Sequence, residues 1–402
     1  MALHPDVKKY YVFRALLKRF ILPILVLYGL DRGLTLSELS LIAVAGSVLS
    51  FVLEIPSGAI ADRFGHRRTL VVSMLGQALS MLLYLGGSFW WIMLGTAAYL
   101  GFGSLMTGTA EAFFFERLKQ LGLVDQHAKL YGAGKGFATG VSIISMLLAG
   151  VFYELAWYLP FLIGALQFIV AAFVIASMGD SRDEVSVQKK EATQMTIITH
   201  FSSAFREVWK RPELFWMIVT SALIVGPLFA VGDFQQAVMS DVGISASLIG
   251  VVYALKRGLS IFVQGSTHRL MRLVRPPIFL LTCAIIMVAH YAGIGLIKDP
   301  WLLLAPLLVG PLAWVGLEIA VNDYINRSTQ TSSRATLLSM SNFVRSLVSV
   351  FTIVLFGFIT TPAPAARGFL IIGIVFAALL VFPFSMLFRH QKNSCSNLER
   401  LQ

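Results

Sequence analysis

The chain has 402 residues, 57% of them apolar and only 13% charged, with a mean hydropathy of +0.77 and a formal net charge of +11. A soluble domain carries about 25% charged residues. This much apolar surface has no place in water, whereas a bilayer accepts it, so a water-soluble fold is excluded.

A spanning helix needs about 20 mostly apolar residues. Polar, Gly and Pro punctuation predicts spans at 11–30, 38–60, 69–88, 91–115, 129–152, 157–178, 213–235, 245–267, 277–297, 301–325, 335–358 and 366–388. The first follows the basic stretch Lys8, Lys9, Arg14, Lys18 and Arg19 and ends at Tyr28–Arg32 without a small-x-small cleavage site. It reads as a retained span rather than a cleaved signal.

The basic residues orient this count. Even-numbered connections and both termini together hold 25 of the 32 Lys and Arg, while the opposite side holds only Arg32, Lys298 and Arg367. Under the positive-inside rule both termini are expected in the cytoplasm, and the net charge is topological rather than a sign of nucleic-acid binding. The expected location is the inner (plasma) membrane of a bacterium.

The longest connection, 179–212, divides the chain into an N-terminal six-helix half (1–178), a cytoplasmic linker (179–212), a C-terminal six-helix half (213–390) and a polar tail (391–402). Within the linker, Ile197, Ile198, Phe201, Phe205, Val208 and Trp209 recur at helical spacing opposite His200, Arg206 and Lys210. That pattern predicts an amphipathic helix, lying on the membrane or on the protein's own cytoplasmic face. The halves show faint similarity: residues 127–139 resemble 334–346, and 58–68 resemble 265–275. A six-plus-six arrangement with a site between repeats is a transporter plan.

Gly58-Ala-Ile-Ala-Asp62-Arg63-Phe-Gly65-His66-Arg67-Arg68, on the loop between spans two and three, resembles the signature loop of the major facilitator superfamily. His66 stands where that pattern has the first Arg of a basic trio. Leu53-Glu54-Ile55-Pro56-Ser57, Phe115-Glu116-Arg117 and Ser333-Arg334-Ala335 look like segments of drug-exporter-like members. The fifth span departs from many drug/proton antiporters, because its glycines are not followed by a proline between Tyr131 and Tyr153. The resemblance implies an all-α integral membrane protein of 12 transmembrane helices in two pseudo-symmetric halves, working by alternating access. It also implies a conformational latch of Gly58, Asp62, Arg63, Gly65, Arg67, Arg68 and Glu116, in which Glu116 meets the loop arginines.

Ionisable groups at membrane depth are costly unless paired or hydrated, so each is a functional candidate. Glu111 and Lys135 sit about 10 Å deep and pair if they face each other. Glu318 and Arg345 form a second possible pair, with Asp323 nearer the interface as a latch or cap. Lys256 and Arg257 point about 100° apart, so at least one is expected to face the central cavity. Glu54, Glu111, Lys135, Lys256, Arg257, Glu318 and Arg345 are therefore the substrate or proton candidates. Arg14 and Lys18 are expected to snorkel to the inner headgroups, and His290 to be a satisfied buried histidine. Trp90, Trp91, Trp157, Tyr158 and Trp301 are expected in an interfacial belt.

The sequence thus points to a secondary transporter and not to an enzyme. It shows no metal-spaced His/Cys/Asp cluster, no nucleophile with a base and no phosphate-binding loop. Cys283 in an apolar run and Cys395 in the tail imply no disulfide framework. The leading expectation is proton-coupled export of a drug-like or metabolite solute. The alternatives are uptake of an anionic metabolite, or a non-transporting receptor on the same fold. No cofactor is expected; the partners expected are the solute, membrane lipids and protons, with the protein acting as a monomer.

Overall fold

The computed structural model describes residues 3–17, 20–179, 211–273, 276–328, 331–361 and 363–399. The amphipathic helix expected at 195–209 falls outside them. Among the described residues every regular element is helical: α1 (Pro5–Leu16), α2 (Leu25–Asp31), α3 (Leu36–Phe64), α4 (His66–Tyr84), α5 (Phe89–Ser104), α6 (Thr109–Gln120), α7 (His127–Leu155) and α8 (Leu159–Ala176) come first. They are followed by α9 (Pro212–Ala230), α10 (Gln235–Asp241), α11 (Ala246–Leu273), α12 (Pro276–Leu296), α13 (Pro300–Ser328), α14 (Thr331–Thr360) and α15 (Ala365–Glu399).

Ten helical stretches among the described residues are long and apolar enough to cross a membrane. The expected first and third spans complete the twelve. The third is α4, whose first turn carries His66, Arg67 and Arg68. The first departs from the expected continuous 11–30: it starts at Pro5 and is broken between α1 and α2, where Pro23 cannot donate an N–H. The fourth is likewise two helices, α5 and α6, separated at Leu105–Gly108 by a glycine of φ +76°. The seventh is broken between α9 and α10 at residues 231–234, just after Pro227.

The chain forms two compact units, one from Met1–Gln188 with Met239–Arg257, the other from Lys189–Val238 with Gly258–Gln402. The start of α11 thus clusters with the first unit. Glycines explain this. A Cβ on Gly150 of α7 would overlap the Ala246 carbonyl oxygen, and one on Gly250 would lie 2.5 Å from the Met146 carbonyl oxygen. Only glycine lets the two backbones approach so closely. Glu154, at the end of α7, then caps α11: its carboxylate accepts from Ser247 N at 2.8 Å and from Ser247 Oγ at 2.5 Å.

Within the first unit α4 packs on α5 and α8, α3 on α5, and α1 on α7 and α8. Small and polar residues make the seams. Ser73 Oγ donates to the Phe102 carbonyl at 2.6 Å, and Gly76 lies against the Phe102 ring. A hydrogen bond between membrane helices contributes about 0.6–2 kcal/mol. In the second unit α12 packs on α13 and α15, and α9 on α14 and α15. By span number these pairings repeat those of the first unit: one with five and six, three with four and six; seven with eleven and twelve, nine with ten and twelve.

The corners after the broken spans repeat as well. Asp31-Arg32-Gly33-Leu34-Thr35 leads into α3, and Asp241-Val242-Gly243-Ile244-Ser245 into α11. Gly33 and Gly243 take φ +82° and +81°, a conformation that L side chains adopt only with strain. Leu34 N donates to Gly29 O at 3.1 Å and Ile244 N to Met239 O at 2.9 Å. Thr35 and Ser245 then cap the following helix through the amides of Glu38 and Leu248, each cap contributing on the order of 1 kcal/mol.

Candidate functional site

The breaks in spans one and four bring α1, α6 and α7 together around one set of ionisable groups. Unwound backbone at membrane depth leaves peptide groups without helical partners, which is tolerated only inside protein or beside a water-filled cavity. Next to the break in span four, Thr107, Gly108 and Glu111 are exposed, and nothing stands within 4 Å of where a Gly108 Cβ would be.

Glu111, in the first turn of α6, accepts a short hydrogen bond from the Tyr131 hydroxyl of α7. The Arg14 guanidinium of α1 lies 5.0 Å from the Tyr131 ring centre and 5.9 Å from that of Tyr10. Arg14 Nη1 also donates weakly to the Tyr10 hydroxyl at 3.4 Å. Tyr10 is itself fixed by stacking on Phe114 at 3.7 Å, and His127 stacks on Tyr131 at 5.6 Å. Cation–π contacts of this kind contribute about 0.5–2 kcal/mol each.

Two sequence expectations change here. Glu111 and Lys135 do not pair: Glu111 faces Tyr131, and Lys135 is exposed one turn further along α7 with no carboxylate beside it among the described residues. Arg14 does not snorkel to the headgroups, because two tyrosine rings from different helices hold its guanidinium inside the unit. Lys18 lies outside the described residues.

At the loop end of the same unit the expected latch takes a different form. Glu116 Oε2 lies 2.9 Å from His66 Nδ1, so the histidine standing in place of the arginine receives the contact. Asp62 lies 4.0 Å from His66 Nε2. Arg67 instead donates to the Met178 carbonyl at 2.9 Å beyond the end of α8, Arg63 lies over the Phe64 ring, and Arg68 is exposed. Gly65 turns the chain from α3 into α4 at φ +87°. Sequence reasoning missed Asp6, which is 6% exposed and meets Arg117 Nε and Nη2, each at 2.6 Å. An acidic residue in the first turn of a helix that begins with proline was the available signal.

In the second unit Glu318 of α13 meets Arg345 of α14 at 3.2 Å, and Arg345 also donates to Asn342 at 2.9 Å. Asp323 is half-buried near the end of α13. On the part of α11 that belongs to the first unit, Lys256 lies over the Tyr253 ring at 4.8 Å and Arg257 is half-buried. Glu54 and Gly58 lie on α3, but their side chains fall outside those described. His290 is a satisfied core histidine. Its Nδ1 donates to the Pro306 carbonyl at 2.6 Å, so Nε2 accepts from the Gln235 amide at 3.0 Å, and Gly310 leaves room for the ring. No metal-binding group of His, Cys, Asp or Glu occurs among the described residues.

Residues 10–353 match the family model described as Major Facilitator Superfamily. The Probable 4-methylmuconolactone transporter of Cupriavidus pinatubonensis (strain JMP 134 / LMG 1197) is 24% identical over 383 residues, covering 92% of this chain and 85% of that protein. The class B tetracycline resistance protein of Escherichia coli is 25% identical over 297 residues, covering 71% of this chain and 70% of that protein. Among solved structures, the nucleoside transporter NupG superposes with a TM-score of 0.77 at 12% identity, covering 96% of this chain and 99% of that one. At that identity the likeness concerns the fold alone.

Proposed function

Because this chain belongs to the Major Facilitator Superfamily, a family of membrane transporters, we propose that it moves a small solute by alternating access, coupled to protons, with Glu111 as the proton-carrying group. The observation that carries this reading is a carboxylate at membrane depth, exposed beside a helix break and held by a phenol rather than neutralised by a cation. Such a group exchanges a proton with water and changes its charge without dismantling a structural ion pair. Around it stand Tyr10 and Arg14 from α1 and His127 and Tyr131 from α7, with Lys135 a turn further along α7.

The Glu318–Arg345 pair has the opposite character. Both charges are already answered, which suits a contact holding α13 to α14. Export is the direction we favour, since several segments resemble exporters and one relative is a tetracycline resistance protein. The distribution of Lys and Arg supports a bacterial inner-membrane protein with both termini in the cytoplasm.

Flux into proteoliposomes under an imposed pH gradient tests the coupling. We expect solute movement to respond to the gradient, and Glu111→Gln to abolish that response while counterflow persists. A wild-type flux indifferent to the gradient, or a Glu111→Gln protein that still responds fully, refutes the reading.

A further inference from the structure

The coupling proposal leaves the guanidinium beside Glu111 without a task. We propose that Arg14 receives a negatively charged group of the solute, and that the transported molecule is a small organic anion with a flat ring or conjugated body. This deepens the reading of the Glu111 cluster as the solute site and rests on it.

The argument begins with charge. Arg14 lies more than two turns into a membrane helix, and no carboxylate among the described residues pairs with it. Its neighbours are two neutral phenols. A guanidinium has five N–H donors in a planar fork, and the bonds to the Tyr10 and Tyr131 hydroxyls leave part of that fork for a guest. Part of the charge answers the carbonyl end of α1, two residues from its terminus. The remainder is available to a guest. Lys135 stands one turn beyond Tyr131 on the same face of α7, also without a carboxylate partner. Two cations against the one carboxylate of Glu111 leave the cluster one positive charge in excess, which an anion of charge −1 balances.

The aromatic groups define the body of the guest. Tyr10 is buried and committed to Phe114, whereas Tyr131 and His127 are a stacked, partly exposed pair, His127 also edge-on to Phe115 and Tyr131 also carrying Arg14 over its ring. A planar solute whose carboxylate forks onto Arg14 brings its ring alongside that pair. Carboxylate–guanidinium geometry is bidentate and planar, so Arg14 orients the solute as well as attracting it.

The test uses the purified full-length protein and matched probes: benzoate and cinnamate as anions, their neutral amides, and the corresponding amines as cations. Thermal shift and tritiated-benzoate displacement read binding without requiring transport. We expect stabilisation by members of the anion set only. Arg14→Gln should weaken that binding about 10- to 100-fold, the loss of one charge-assisted contact, with Arg14→Lys in between. Arg14→Gln must retain the melting profile of the ligand-free wild type; if it does not, Arg14→Lys and Tyr131→Phe supply the comparison. Stabilisation by amides or amines rather than anions, no stabilisation by any anion, or anion binding indifferent to every Arg14 substitution overturns the proposal. Anion binding that depends on Arg14, in a protein whose flux ignores the pH gradient, refutes the coupling and leaves the anion site standing.

Discussion

Replacing Arg117 with Met keeps most of the side-chain stem and removes the charge, which isolates the role of the buried Asp6. The Asp6 carboxylate is 9% exposed at the side chain, and both Arg117 nitrogens converge on its Oδ2 at 2.6 Å. Its other cation, Lys9, lies 4.0 Å away at the opposite oxygen and is 38% exposed. Breaking a fully buried ion pair by removing one partner costs about 3–5 kcal/mol, because the remaining charge is stranded. Here the Arg117 side chain is 18% exposed and Lys9 compensates weakly, so about 2–4 kcal/mol is expected. Spread over a unit of nearly 200 residues, that is a fall in melting temperature of roughly 5–10 °C. Asp6→Asn alone should cost less, and the double variant should recover part of the loss, a coupling of about 1–3 kcal/mol. Ellipticity melts of the four proteins in detergent measure this. Strict additivity of the two single losses, or an Arg117→Met protein as stable as the wild type, would falsify the view that this pair anchors α1 to α6.

Other perturbations follow from the same geometry. His66→Ala removes the 2.9 Å contact with Glu116 and should cost about 0.5–1.5 kcal/mol, read as a lower melting temperature, whereas His66→Arg should keep the contact and the melting temperature. Gly76→Leu drives a side chain into the Phe102 ring and should cost about 1–3 kcal/mol, visible as a lower melting temperature and poorer monodispersity. Gly150→Leu should prevent close approach of α7 and α11, and cysteines placed at 154 and 247, whose side chains meet, should then cross-link more slowly than in the wild-type background. Glu318→Gln should lower stability by less than about 1 kcal/mol, since both members of that pair are substantially exposed; a larger loss, or lost anion binding, would give the pair more than a tethering role.

Much of the architecture was readable because lipid leaves the sequence few choices. Apolar runs of about 20 residues specify most of the spans that appear as long helices in the structure. The interruptions were harder to see, since Leu105–Thr107 is apolar enough to pass for helix and only Gly108, at φ +76°, gives the turn away. Pro23 was a signal for the first interruption, masked by the apolar residues on both sides. The matching corners Asp31-x-Gly33-x-Thr35 and Asp241-x-Gly243-x-Ser245 are a plainer repeat than the segments singled out from the sequence, and a search for glycines flanked by an acid and a helix cap would have found them. Arg14 could not be placed from its own helix. Its position depends on Tyr131, more than a hundred residues away, and no periodicity within α1 encodes that neighbour. His66 was noted as a departure from the family pattern, and its contact with Glu116 shows what the substitution does.

The joints in spans one, four and seven bear on how force travels through this protein. A continuous helix behaves as a stiff lever, so moving one tip moves the other. A span divided by unwound residues behaves as two short rods on a flexible coupling, and α2 or α10 can stay seated while α1 or α9 tilts. A compound lodged in one joint would therefore stall one leaf of the span without freezing its opposite end. Hydrogen exchange should reveal the couplings directly, with amides at 105–108 and 231–234 exchanging well before those of the helices on either side.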